Sequence, residues 1–145
     1  MWPPKTKTHI YHATVKSTVA YVAKTWCLEA ETVAKLNSTE MDLWRRPARI
    51  SRKGKIRNAI IKQKMNIARS LLDDIKTKQL QWYGHVQRME EGRLPKEVVK
   101  WSPPGRRKRG RAKLTWVEGI RGLMEEKGLM EEDWNGRGNW RKKII

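Results

Sequence analysis

Phenylalanine is missing from these 145 residues, and cysteine occurs once, at Cys27. A lone cysteine excludes an internal disulfide, and no grouping of Cys with His has the spacing of a zinc site. His9 and His12 stand three apart with no third ligand near them, so both read as exposed side chains. No apolar run approaches the roughly 18 residues that cross a bilayer, and the opening MWPPKTKTHIYH lacks the apolar stretch of a signal peptide. The expectation is an intracellular chain, nuclear or cytoplasmic, with no membrane partner. Leu, Ile, Val and Phe supply only 28 residues, about 19 % of the chain, beside a formal charge of +18. That balance falls on the disordered side of the compositional boundary. Eight Trp and six Met argue the other way, because each Trp carries a large apolar area. Locally helical segments around a small, incomplete core are therefore expected.

Acidic residues are scarce where basic ones gather. Residues 1–44 carry 5 Lys/Arg against 4 Asp/Glu, residues 114–145 carry 6 against 6, and residues 45–113 carry 22 against 5. All but one unit of the net charge thus sits in the middle of the chain. Such a concentration is the footprint of a polyanion and repels itself until a partner neutralises it. Nucleic acid fits best. An anionic membrane surface fits less well, since the basic run has no apolar face to insert.

The apolar spacing predicts helices and no strands. Tyr11, Val15, Val19, Val22 and Trp26 recur at helical intervals, and Val33, Leu36, Leu43 and Trp44 mark a second helix that should end before Pro47. A basic turn around Gly54 follows, then a short helix from Ile56 to about Met65. The strongest stripe is Leu72, Ile75, Gln79, Trp82, Val86 and Met89, which predicts a long helix over about 69–89 with Trp82 in its core and His85 on its flank. Asp73 and Asp74 read as solvated charges of that helix. From Leu94 a short helical or extended piece carries Val98, Val99 and Trp101. Pro103, Pro104, Gly105 and Gly110 then bar regular structure. Six of residues 105–113 are basic: Arg106, Arg107, Lys108, Arg109, Arg111 and Lys113. A run this dense suits phosphate contact or nuclear import. Thr115 and Glu118 form a capping box for a helix with Trp116, Ile120 and Leu123 on one face, stopped at Gly128. Gly136 and Gly138 weaken any helix in the tail.

With these segments in order, the sequence resembles the C-terminal portion of the endonuclease–reverse transcriptase of LINE-type (non-LTR) retrotransposons, a kind abundant in insects. YVAKTWCL at 21–28 is similar to the family's YGSETWTL, and IRN at 56–58 to part of RIRNEEI. QLQWYGHVQRMEEGRLPKEVVKW at 79–101 is similar to QLRWLGHVLRMPDDRLPKKVLEW, and GRRKRGRAKLTW at 105–116 to GRRKRGRPRKTW. The closing NWRKKI is similar to a terminal WR element. Val22, Ala23, Lys24, Ala59, Ile60 and Ala112 depart from the pattern. The resemblance implies a parent protein that copies RNA into DNA at a nicked target. The acidic magnesium sites that such polymerases and endonucleases use are absent from these residues.

The sequence therefore predicts a mainly α chain of several short amphipathic helices with a disordered basic Pro/Gly/Arg linker. Its segments would be a helical pair at 1–46 (thumb-like by resemblance), a basic helical segment at 47–101, a linker at 102–113, and a helix with tail at 114–145. The expected core is Leu72, Ile75, Trp82, Val86, Met89, Trp116 and Ile120. The expected activity is electrostatic binding of RNA or DNA phosphates by Arg52, Lys53, Lys55, Arg57 and the run from Arg106 to Lys113, without catalytic residues, metal or cofactor. The remainder of a reverse transcriptase is a candidate partner. The alternative is a domesticated protein-interaction module that uses Trp-rich helical faces.

Overall fold

The structure, a computed structural model, describes residues 4–101 and 115–145. The basic run with its six cations, Arg106, Arg107, Lys108, Arg109, Arg111 and Lys113, and the linker expected at 102–113 lie outside the described residues. Eight α-helices and no strand are found among the described residues, so the fold is mainly helical. The chain divides into two compact units: Met1–Lys24 with Leu28–Lys76, and Thr25–Cys27 with Thr77–Ile145.

The first unit begins with α1 (Pro4–Ile10), a π-helical turn at Tyr11–Lys16, and α2 (Ser17–Val22). The π turn changes which side chains face inward. Its wider i→i+5 winding inserts an extra residue and shifts later positions by one. Tyr11 is buried as the spacing predicts, but beyond the turn Ala20 and Ala23 are buried in the places expected for Val19 and Val22. Val15, Val22 and Trp26 are exposed.

Helix α3 (Ala30–Ala48) runs through Pro47 instead of stopping before it. The proline's fixed φ suits a helix, and in the last turn it forfeits a single backbone hydrogen bond. Trp44 and Ala48, both buried, hold that turn against α4 (Asn58–Lys64), where Ile61 is fully buried. Helix α4 is shorter than the expected 56–65. Met41 completes this cluster with Tyr11, whose ring meets Trp44 edge-on at 4.6 Å.

Three helices end in one way. Ile50 N–H reaches Arg45 O (3.1 Å), Ile67 N–H reaches Lys62 O (3.0 Å), and Leu129 N–H reaches Met124 O (2.9 Å). Each is a Schellman closure, in which a residue of positive φ turns the chain and the next residue, an aliphatic one, folds back onto the core. The turning residues are Arg49 (φ 57°), Asn66 (φ 53°) and Gly128 (φ 63°). Gly128 is the stop that the sequence predicts.

Glu40 is a buried carboxylate on α3. It accepts from Tyr11 Oη at 3.3 Å and from Leu71 N–H at 2.8 Å, at the start of α5 (Leu71–Gln87). Burial, and then the Glu40 charge, push the Tyr11 phenol well above its ordinary pKa. Ser70 and Asp73 cap the same helix end reciprocally, with Asp73 N–H to Ser70 Oγ at 3.2 Å and Ser70 N–H to Asp73 Oδ2 at 3.1 Å. Asp74, expected in solvent, is instead paired with Lys16 and lies 3.6 Å from Arg69.

The second unit contains the rest of α5, α6 (Leu94–Lys100), α7 (Trp116–Glu126) and α8 (Arg137–Ile144). The Thr115–Glu118 capping box is present: Thr115 N–H meets Glu118 Oε2 at 2.8 Å and Glu118 N–H meets Thr115 Oγ1 at 3.3 Å. Helix α8 forms despite Gly136 and Gly138, because Trp140 and Ile144, four apart, are buried together and offset the roughly 1 kcal/mol that a helical glycine costs. They join Leu80, Tyr83, Ile120, Met124 and Leu129 in one core.

The predicted core is right at Ile75, Val86 and Ile120, which are buried. Leu72, Trp82, Met89 and Trp116 are only half-buried, and Leu71, Leu80 and Tyr83 take the interior positions. A single stripe misreads α5 because Leu71 and Ile75 belong to a cluster of the first unit, while Leu80 and Tyr83 belong to the core of the second.

Candidate nucleic-acid interface

Between Arg45 and Lys64 the sequence has nine Lys/Arg and no Asp or Glu. The segment comprises the end of α3, a 3-10 turn at Arg52–Gly54 and helix α4. Three of its cations build the turn. Arg45 Nη2 donates to Ile56 O at 3.1 Å and to Asn58 Oδ1 at 3.0 Å, which ties the loop to α3. Arg52 grips Asp42 with both ends of its fork, Nε to Oδ1 at 2.8 Å and Nη2 to Oδ2. Lys64 Nζ donates to Ala48 O at 3.1 Å, satisfying a carbonyl at the end of α3. Ser51 caps the 3-10 turn by accepting from Lys53 N–H at 3.2 Å, and Lys55 leaves it with φ 48°.

Of the other six cations, Lys62 is half-buried and five face solvent. Arg46, Arg49, Lys53, Lys55 and Arg57 are exposed and form no ion pair among the described residues. Of the site residues predicted here, Lys53, Lys55 and Arg57 are free for phosphate, whereas Arg52 is exposed but paired. Arg46 and Arg49 join the surface without having been singled out from the sequence. Their place follows from α3 continuing past Pro47, which the local proline rule hides.

The aromatic residues of α5 differ in their surroundings. Tyr83 is buried, with its ring edge-on to Trp134 (5.6 Å) and Trp116 (6.1 Å). Trp82, half-buried, lies 5.6 Å from the exposed His85 ring. Among the described residues no group of three or more His, Cys, Asp or Glu could hold a metal ion, and no helix is long and apolar enough to cross a membrane.

No family model, curated protein or solved structure matches this chain.

Proposed function

We propose that the chain binds RNA or DNA through the phosphate backbone, as a non-catalytic C-terminal portion of a LINE-type reverse transcriptase that acts beside the rest of that enzyme. The observation that carries this reading is the acid-free segment from Arg45 to Lys64, where Arg46, Arg49, Lys53, Lys55 and Arg57 are exposed with side chains that pair with no carboxylate or carbonyl among the described residues. Cations unmatched within their own chain are neutralised by an external polyanion, and release of condensed counterions drives the binding. The ordered resemblance of the sequence segments supports the parentage. A nuclear or cytoplasmic location goes with it.

The test is affinity for a single strand against salt. Each phosphate contact contributes about −0.7 to the slope of log K on log salt. Replacing Arg46, Arg49, Lys53, Lys55 and Arg57 by Gln should flatten that slope by about 3.5. An affinity that ignores salt, or a slope that survives the replacement, overturns the reading of this surface. The same preparation is expected to extend no primer on an RNA template.

Helix α6 favours a second reading. Leu94, Val98 and Trp101 are 75 %, 61 % and 66 % exposed at helical spacing, an apolar stripe suited to protein contact. Absence of nucleic-acid binding at low salt, with association that disappears when the three become Ser, would favour the interaction module.

A further inference from the structure

A pocket of about 390 Å³ opens on α3 beside the basic turn. That volume is within the roughly 300–1,000 Å³ of small-ligand sites. Ala34 and Met41 give it apolar lining, and Asn37, Ser38 and Asn58 bring amide and hydroxyl groups. Asn58 spends its Oδ1 on Arg45, which leaves its amide N–H groups to donate. Arg45 also lines the pocket, and its charge has no carboxylate partner among the described residues. At the rim, Asp42 fixes the plane of the Arg52 guanidinium by a two-point grip, while the Arg52 side chain stays 73 % exposed. Lys53, Lys55 and Arg57 follow in the chain, all exposed.

A flat, immobilised cation presents a surface on which an aromatic ring can stack. Amides that both donate and accept match the edge of a base, and neighbouring cations match the phosphates on either side. Proteins read unpaired bases with this set of groups, whereas a duplex keeps its bases stacked and out of reach. We propose that the pocket takes one unstacked nucleobase of single-stranded RNA or DNA, stacked on Arg52 and held at its edge by Asn37 and Asn58. The inference rests on the nucleic-acid reading above and adds a base-recognition element to what is otherwise phosphate attraction.

The experiment compares, by fluorescence anisotropy at fixed salt, a short oligo-dT with the same strand made of abasic units, using the full chain. Two variants accompany it. Ser38→Phe fills the pocket, and Arg52→Lys keeps the charge but loses the planar fork. The unaltered chain should prefer the base-bearing strand about tenfold, the contribution of one stacked base. Both variants should bring the two strands to parity with an unchanged salt slope. Should Ser38→Phe lose its helical circular dichroism, Arg52→Lys decides alone. Equal binding of both strands by the unaltered chain, or a preference that persists in the folded variants, overturns the pocket and leaves phosphate binding standing. Failure to bind either strand at low salt overturns both.

Discussion

The indole N–H of Trp140 donates to the backbone carbonyl of Leu80 at 3.0 Å, joining residues 60 apart in sequence. Gly84, one turn further along α5, makes room for the ring: a Cβ there would lie 2.8 Å from the indole Cδ1. Gly84→Ala should therefore destabilise the second unit by about 1–3 kcal/mol, the cost of forcing volume into a packed core. Urea melts followed by tryptophan fluorescence measure it. In a Trp140→Ala background the same change should cost much less, since the two residues share one contact.

Adjacent aromatics on α5 should respond unequally. Tyr83→Ala opens a cavity among Trp116, Trp134 and Ile120 and should cost about 3 kcal/mol, while half-buried Trp82→Ala should cost about 1 kcal/mol. Thermal melts by circular dichroism compare them. Equal losses would mean that Trp82 contributes as much to the core as Tyr83, and a larger loss for Trp82→Ala would mean that Trp82 takes the interior position.

Arg49 sits where a glycine is usual. Its φ of 57° is costly for a residue with a Cβ, so Arg49→Gly should raise stability by about 0.5–1 kcal/mol. The same change removes an exposed cation and should reduce the single-strand salt slope by about 0.7. Greater stability with weaker binding is the expected pair of results from denaturant and salt titrations.

Glu91 gives the second unit a particular acid sensitivity. Hydrogen bonds from Lys100 Nζ at 2.6 Å and Lys96 Nζ at 2.7 Å hold its carboxyl at about 2, against 4.5 in the unfolded chain. A carboxyl with a depressed folded pKa stabilises above the unfolded value and loses that contribution as pH falls from 4.5 toward 2. Urea midpoints across this window should decline less steeply in Glu91→Gln than in the unaltered chain. The difference should shrink in high salt, because Glu91 and Lys100 are exposed.

Helix existence was legible from apolar spacing and caps. Thr115 with Glu118 and the stop at Gly128 are local chemistry that a few residues specify. What escaped depends on distant partners. The one-residue shift past Lys16 comes from a π turn that no spacing rule contains, and the length of α3 depends on Trp44 and Ala48 being buried against Ile61. A single stripe places Trp82 in the core, whereas α5 contributes to two clusters rather than one. For the site, composition located the cations but not their division of labour. That Arg45 and Arg52 brace the turn while Arg46 and Arg49 stay free depends on Asn58 and Asp42, which charge counting ignores.

Glu40 lies 29 residues from one of its partners, Tyr11, and 31 from the other, Leu71. Loop closure grows only with the logarithm of length, so bringing either partner to Glu40 demands nearly the same entropy, about 3 kcal/mol each on the (3/2)RT ln n scale. Helix α3 can form from its own local contacts before either arrives. The first unit should then assemble outward from its middle, with α3 as nucleus and the flanking helices condensing in either order. Substitutions in α3 would slow refolding, and those at Tyr11 or Leu71 would chiefly speed unfolding.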